Sequence, residues 1–265
     1  MKFSLEFYIS KKNLLELINF KKIINIKIKF ITITYNNFKL NKKIINYFLK
    51  KKNNVLPHII CKNNIKYFNY LINLYYTNNI KNIMIIKGDE KICNFYYCYN
   101  FLNIIKNNYK NIFNIYLGIY TEFHQNNLKN IYDFKNNIIK KNIFFKSIFI
   151  SQYIYDFNSY CYFYDDLNKI KKNIKIIPGI MPINCLKKII SFSNICKSNL
   201  PIWLIKKLSN NFFKKKNFNK INIEINCNII CKMKKFKIKF IHFYTMNKTK
   251  IINNIFSFLI NNFNF

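Results

Sequence analysis

No arginine and no alanine occur anywhere in the 265 residues, and glycine (3), proline (4) and tryptophan (1) are scarce. So little glycine and proline excludes collagen-like and flexible-linker material. Long apolar runs are missing as well, because asparagine and lysine interrupt each one before it reaches membrane-spanning length. No membrane span is therefore expected. Negative charge is sparse, with 10 acidic residues against 45 basic ones, all lysine. The opening Met1-Lys2-Phe3-Ser4-Leu5-Glu6 sets a carboxylate where a secretory signal would be apolar, and nothing there reads as a transit peptide. The expected location is cytoplasmic.

Hydrophobic residues make up 51% and aromatics 18%, which is a chain with a core rather than a disordered one. No linker or shift of composition divides it, so residues 1–265 read as one domain. The net charge of +35 is the kind that condenses onto phosphate. Two features oppose that reading. Arginine, the residue suited to bidentate phosphate and guanine contacts, is absent. The lysines are also spread along the whole chain, and Lys, Asn, Ile, Phe and Tyr are together the residues of A/T-rich codons. Compositional drift explains the charge, and a basic nucleic-acid-binding protein stands as the alternative. Cysteines at 61, 93, 98, 161, 185, 196, 227 and 231 read as reduced thiols. No histidine lies close enough to Cys227 and Cys231 to complete a zinc set, so no metal is expected.

Against such a background the rare residues carry information. Gly88, Gly118, Gly179, Pro57, Pro178, Pro182, Pro201, His58, His124, His242 and Trp203 mostly flank short apolar runs, where a strand would end. Runs of strand length and composition are Phe3 to Ile9, Ile28 to Tyr35, Val55 to Cys61, Asn82 to Lys87, Ile112 to Tyr120, Ser147 to Tyr153, Ile174 to Ile180 and Lys239 to Thr245. Between them the spacing turns helical, as at Lys12 to Ile18, Tyr67 to Tyr76, Phe101 to Tyr109 and Met181 to Ile190. Lys214 to Lys239 fits a long helix or an irregular connection. Eight strands alternating with helices predict an α/β fold, the (β/α)8 TIM barrel.

A barrel carries its site at the C-terminal ends of its strands. Those ends supply Glu6, Thr34, Tyr35, His58, Asp89, Tyr120, Glu122, His124, Gln152, Pro178, Gly179 and Tyr244. This polar ring holds no metal triad, no Ser-His-Asp set and no glycine-rich phosphate loop, and suits an organic cofactor. Alternation puts Glu6 and Ser4 on one face of an apolar strand. Burial there would raise the pKa of Glu6 and make it a candidate general acid, unless it is an edge residue or a lysine's ion-pair partner. Asp89 follows Gly88, which allows close ligand approach, and Asp89 would equally suit a helix N-cap. His58 and His124 fit a site or a structural role, and His242, within the last strand, reads as core. Gln152 can donate to and accept from an amide-bearing ring, or bond backbone at a strand end.

Taken in order, these segments resemble the methylenetetrahydrofolate reductase family, of the bacterial type with a single catalytic domain. Ser4 to Tyr8 is similar to the family's SFEFFPP, Phe30 to Tyr35 to FVSVTYG, and Pro57 to Cys61 to PHLTC. Ile83 to Asp89 resembles the strand ending in RGD. Tyr120 to His124 resembles YPEVH, Ser151 to Asp156 TQFFFD, and Ile176 to Pro182 IIPGILP. Pro201 to Trp203 resembles PAW, and His242 to Asn247 resembles HFYTLN. The resemblance implies reduction of 5,10-methylenetetrahydrofolate to 5-methyltetrahydrofolate through FAD, with NADH or NADPH in ping-pong order, in a homo-oligomer. It implies Glu6 as general acid and Asp89 beside the flavin and the pterin. Thr34, Tyr35, His58, Gly88, Tyr120 and His124 would hold FAD, and Lys141 would reach its phosphates. Gln152, Phe192, Tyr244 and Lys248 would face substrate. Departures from the family pattern are Ile9 and Ser10 for prolines, Lys87 for Arg, Thr121 and Gln125 for prolines, Asn126 for Glu, Lys188 for Gln and Lys248 for Arg.

Overall fold

The structure is a computed structural model that describes residues 1–8, 28–34, 38–51, 53–61, 64–86, 95–109, 112–121, 131–183, 185–196, 198–210 and 215–263. The described strands are β1 (Lys2–Phe7), β2 (Ile28–Ile33), β3 (Val55–Ile60), β4 (Asn82–Ile86), β5 (Asn114–Ile119), β6 (Ile148–Tyr153), β7 (Ile176–Ile180) and β8 (Phe240–Tyr244). They pair in parallel, in sequence order, and β8 closes onto β1. The described helices are α1 (Phe38–Lys50), α2 (Ile65–Thr77), α3 (Phe95–Asn108), α4 (Ile131–Phe145), α5 (Phe157–Ile170), α6 (Leu186–Cys196), α7 (Ile202–Ser209), α8 (Lys215–Lys235) and α9 (Thr249–Phe263). The expected (β/α)8 TIM barrel is thus observed, with each strand inside its expected run or one residue beyond it.

Alternation along the strands sorts side chains into two apolar layers. On β1, Phe3, Leu5 and Phe7 point outward into the large core shared with the helices. Inward positions on neighbouring strands meet inside the barrel, where Phe30, Leu56, Met84, Tyr116, Ile150 and Ile177 form a separate cluster. Parallel register keeps the same face aligned from strand to strand, as in Thr32↔Leu56 and His58↔Met84. The inward positions Ser4, Thr32, His58 and His242 are polar yet buried. The interior therefore has an apolar plug and a polar layer gathered on β1, β2, β3 and β8.

Helix ends follow local chemistry. The Asn64 side chain accepts the Tyr67 N–H at 2.9 Å and starts α2, whose buried Phe68, Leu71, Ile72 and Tyr75 form one stripe. Asp156 accepts the Asn158 N–H at 3.0 Å and starts α5. The helix expected over Met181 to Ile190 begins later, at Leu186, because Pro182 occupies a buried connection after β7. Within the stretch Lys214 to Lys239, Lys215–Lys235 forms α8, and Ile221, Ile223 and Ile225 lie on that helix. The helix expected at Lys12 to Ile18 lies outside the described residues. Among helices and strands whose side chains are described, every lysine except Lys135 and Lys141 is exposed, and each described helix carries at least one lysine. Among the described residues the positive charge thus encircles the barrel instead of gathering in one groove.

Gly179 sits at a tight point of the barrel wall. A Cβ there would lie 2.5 Å from the Ser151 carbonyl oxygen and 2.6 Å from Cε2 of Tyr244, whereas at Gly118 the nearest atom is Met84 Cε at 3.8 Å. Gly179→Ala is therefore expected to destabilise the fold by about 1–3 kcal/mol. Gly118→Ala should be neutral or stabilising, since it removes unfolded-chain entropy. Thermal unfolding of the two variants side by side checks the contrast.

Candidate active site

The end of β1 is held by the turn after β8. Thr245 Oγ1 donates to the Glu6 carbonyl, Asn247 Oδ1 accepts the Tyr8 N–H at 3.0 Å, and Asn247 Nδ2 donates to the Tyr8 carbonyl. Met246 and Asn247 adopt positive φ (46° and 59°), which aims this bracket back at β1. Thr34 fastens the other side, donating both its backbone N–H and its hydroxyl to the Phe7 carbonyl at 3.0 Å. Glu6 thus sits on backbone tied to two neighbouring strand ends.

Its carboxylate points into the polar layer. Oε2 lies 3.5 Å from His242 Nε2 and 3.7 Å from His58 Nε2, with the Glu6 side chain 17% exposed. Burial alone would push the Glu6 pKa up, as expected from the sequence. A hydrogen bond from His242 and the positive potential of His58 and His242 together outweigh it, and the net shift is downward. That corrects the expected rise: Glu6 rests as a carboxylate. Burial lowers the pKa of His58, partly offset by the Glu6 charge, with His242 adding to the lowering. Thr32 Oγ1 and both ring nitrogens of His58 are buried without a hydrogen-bond partner among the described residues, so polar atoms in this layer await a ligand or water.

Tyr244 forms the next wall. Its hydroxyl donates to the Ser151 carbonyl at 2.8 Å, and its ring meets the His242 ring edge-on at 4.7 Å. Burial first, then the charges of Glu6 and neighbouring phenols and thiol, hold its pKa well above the ordinary range, so it stays a neutral phenol. Ser151 is a structural pivot, its Oγ accepting the Gly179 N–H at 2.9 Å where the β6–β7 register shifts. Gln152 is half-buried, and its Oε1 accepts the Tyr153 N–H at 3.1 Å, as the backbone-bonded alternative anticipated. Tyr120, at the end of β5, lies near enough to Tyr244 to influence its ionisation.

Lys141, on α4, is a half-buried cation. Its Nζ lies 5.8 Å from the centre of the Tyr99 ring, and burial brings its pKa down to about 8 against the opposing potential of Cys98 and Cys61. Those two sulfurs are 2.9 Å apart. Phe192 on α6 is half-buried against the outer core. Lys248 is exposed, and its N–H bonds the Thr245 carbonyl at 2.8 Å. Tyr35, Gly88, Asp89, Glu122 and His124 lie outside the described residues. The structure brings Glu6, His58 and Tyr244 together, with Tyr120 within electrostatic reach of Tyr244.

Sequence reasoning missed His242, Ser4 and the Thr245–Asn247 bracket. His242 is buried, as expected of core, yet its Nε2 faces Glu6 and its Nδ1 lies 2.9 Å from Ser4 Oγ. The available signal was period two: His242 stands two residues before Tyr244, and Ser4 two before Glu6.

Residues 1–259 match the family model described as Methylenetetrahydrofolate reductase. A 5,10-methylenetetrahydrofolate reductase of Buchnera aphidicola subsp. Schizaphis graminum is 27% identical over 75% of this chain and 68% of its own length. That of Buchnera aphidicola subsp. Acyrthosiphon pisum is 29% identical over 68% of this chain, which spans 62% of that relative. The protein of the same name from Buchnera aphidicola subsp. Baizongia pistaciae is 25% identical over 92% of this chain and 84% of its own. Among solved structures, a Clostridium thermocellum protein described as binding two copies of 5-methyl-5,6,7,8-tetrahydrofolic acid shares the fold. Its TM-score is 0.71 at 12% identity, over 98% of this chain and 95% of that one.

The buried imidazole and carboxylate make stability depend on pH in one direction. His58 has a folded-state pKa below its ordinary value of 6.5, so the unfolded chain takes up its proton first and stability falls as pH drops through that range. Glu6, also lowered, contributes stability that is present above its ordinary value of 4.5 and is lost as pH falls toward the folded pKa. The urea midpoint should therefore decline from pH 7 to 5 less steeply in His58→Gln than in the parent, and Glu6→Gln should flatten only the more acidic part. A parallel decline in all three proteins would contradict both assignments.

Proposed function

The chain belongs to the methylenetetrahydrofolate reductase family, and from that premise we propose that it reduces 5,10-methylenetetrahydrofolate to 5-methyltetrahydrofolate, with FAD as cofactor and NADH or NADPH as reductant. The observation that carries the reading is Glu6, a carboxyl inside the polar layer of the barrel, facing two buried imidazoles. The folate bound by the Clostridium thermocellum neighbour supports the substrate class. The residues present fit a flavin dinucleotide. Among the described residues, Thr32 Oγ1 and the ring nitrogens of His58 line the interior without hydrogen-bond partners, and Lys141, its pKa brought down to about 8 by burial, would be held more firmly protonated beside a phosphate. Thr34, Tyr35, His58, Gly88, Asp89, Tyr120 and His124 are the residues that would hold FAD, with Lys141 at its phosphates. FAD, when bound, supplies the hydride relay between nicotinamide and folate.

The chain's own residues supply orientation and a proton. Gln152 reads the pterin edge with the donor and acceptor capacity left after its backbone bond. Phe192 and Tyr244 line the substrate side, and Lys248 offers a point charge to the folate's carboxylates in place of a guanidinium fork. Asp89, which lies outside the described residues, would stabilise positive charge on the pterin. Glu6 rests ionised, but a planar ligand over the mouth excludes water from its exposed edge and favours the protonated form. That proton goes to N10 of the folate. The imidazolidine ring opens, and the N5 iminium cation accepts hydride to become the methyl group. One pocket serves reductant and folate in turn, which gives ping-pong kinetics. The product methyl group suits methionine synthesis, and we place the activity in the cytoplasm, on one domain over residues 1–265 within a homo-oligomer. No described helix is long and apolar enough to cross a membrane.

Purified protein should show flavin bands near about 450 nm at about one flavin per chain. A colourless protein retained on polyanions at physiological salt would overturn the reading in favour of nucleic-acid binding. In the flavin-loaded enzyme, Glu6→Gln should leave the flavin's reduction by NADH largely intact and slow folate reduction by about 10²–10⁴-fold. Equal losses in both half-reactions would make Glu6 structural.

A further inference from the structure

Two thiols that the folate reaction does not use meet in the core between strands and helices. We propose that Cys61 and Cys98 are a redox modification site, a dithiol that a peroxide converts to a disulfide, with Lys141 as the cation that favours the reacting thiolate. The inference goes beyond the folate reading and does not depend on it.

Cys61 directly follows β3, and its N–H donates to the Ile86 carbonyl at the end of β4 at 3.0 Å. That bond fixes its backbone on the barrel wall. Cys98 lies in the first turn of α3, the helix that follows β4. The two Sγ atoms are 2.9 Å apart, although the residues are 37 positions apart in sequence. A disulfide holds its sulfurs at about 2.05 Å, so the pair needs to close by only about 0.9 Å. Cys61 is fully buried and Cys98 is 6% exposed. A bulky disulfide oxidant has no room to dock on either sulfur, whereas a small neutral peroxide can reach Cys98.

A buried thiol is ordinarily inert, and reactivity needs a nearby positive charge. Lys141 on α4 supplies one. Burial brings its pKa down to about 8, and the potential of Cys98, then of Cys61, works against that fall. The attraction is mutual, because an ammonium favours the thiolate form of a neighbouring sulfur. Tyr99, beside Cys98, places its ring 5.8 Å from Lys141 Nζ, and burial raises its own pKa, so it stays neutral and adds no competing charge. Elsewhere the balance runs the other way. The Cys227 thiol is pushed up to about 12 by burial and by Cys231. Burial and the carboxylates of Asp165 and Asp156 raise Cys161.

The chemistry balances with one peroxide. The Cys98 thiolate attacks a peroxide oxygen, the O–O bond breaks, and the leaving hydroxide takes up the thiol's proton as water. Cys98 is then a sulfenic acid. The Cys61 sulfur displaces its hydroxyl, an S–S bond forms as the S–O bond breaks, and the hydroxyl leaves with the Cys61 proton as a second water. Two thiols are oxidised and one peroxide is reduced to two waters. The bridge ties the end of β3 to α3, and in reducing surroundings it is transient.

The test uses the whole chain as purified, reduced and then freed of reductant. A few equivalents of hydrogen peroxide at neutral pH should remove two thiols, and non-reducing peptide mapping should join the Cys61 peptide to the Cys98 peptide. Dithiothreitol should restore both thiols. Oxidised glutathione should form the same bridge at least about tenfold more slowly, since access limits exchange. In Cys61→Ser, dimedone should trap Cys98 as its sulfenic acid, and Cys98→Ser should form no bridge at Cys61. Lys141→Met, or Lys141→Gln should that variant not fold, should slow bridging at pH 7 about tenfold, the effect of one unit in thiol pKa. The gap should close as pH rises past the ordinary thiol range of about 8.5. Bridged protein should unfold at higher urea than reduced protein, because the cross-link restricts the unfolded chain. A bridge from Cys98 to Cys93, which lies outside the described residues, would overturn the assignment of the pair. So would thiols that survive at Cys61 and Cys98 while other cysteines oxidise, or a urea midpoint lowered by bridging. Equal bridging rates at pH 7 with and without the Lys141 charge would overturn the role given to that lysine.

Discussion

A carboxylate inside a barrel of apolar strands must be compensated, and the polar interior of this protein is arranged around that need. Glu6 sits above a plug of Phe30, Leu56, Met84, Tyr116, Ile150 and Ile177, where an isolated negative charge would be costly. His58 and His242 face its Oε2, and the β8 turn brackets its backbone through Thr245 and Asn247. Strand closure makes this possible. Because β8 pairs with β1, residues 239 positions apart in sequence meet across two short strands. The barrel's closure and the carboxylate's environment are one structural fact seen at two scales.

The wall around that carboxylate is equally economical. Gly179 has no side chain because Tyr244 lies against it, and Tyr244 is aimed by a bond to the Ser151 carbonyl. Ser151 in turn replaces a regular ladder bond by accepting the Gly179 N–H with its hydroxyl. These contacts are dense and mutual, so their effects should not add independently. In a chain with three glycines, one is spent where backbone and ring approach too closely for any Cβ.

Much of the architecture was legible because strands need only a period of two and a few boundary residues. Val55 to Cys61 and Asn82 to Lys87 could be read from β-branched residues ending at rare histidine or glycine. Glu6 and Ser4 could be put on one face by alternation alone. What alternation could not supply was the identity of the strand across the barrel seam. His242 therefore looked like core, and the sign of the Glu6 shift was misjudged, because burial was visible in the sequence and the two imidazoles were not. The helix after β7 was placed too early for a related reason. Isoleucine is so frequent that helical spacing recurs by composition, and Pro182 was the better guide.

Composition also sets how the chain can handle anions. With no arginine, every cation is a lysine, a point charge whose protonation yields to burial, whereas a guanidinium stays charged. Exposed lysines on the described helices encircle the barrel without specifying a partner. Lys141 differs because burial brings its pKa down to about 8, so it is still mostly charged near neutrality and loses its proton at a lower pH than an ordinary lysine. The same physics acts with opposite sign at Glu6, where neighbouring imidazoles overcome burial and hold the carboxyl ionised at rest. A half-buried cation and a partly buried carboxylate, set on different elements of the same barrel, are thus shifted by the same forces in different balance. Drift toward lysine has made the outer charge uninformative and left the chemical information in the few ionisable groups the fold encloses.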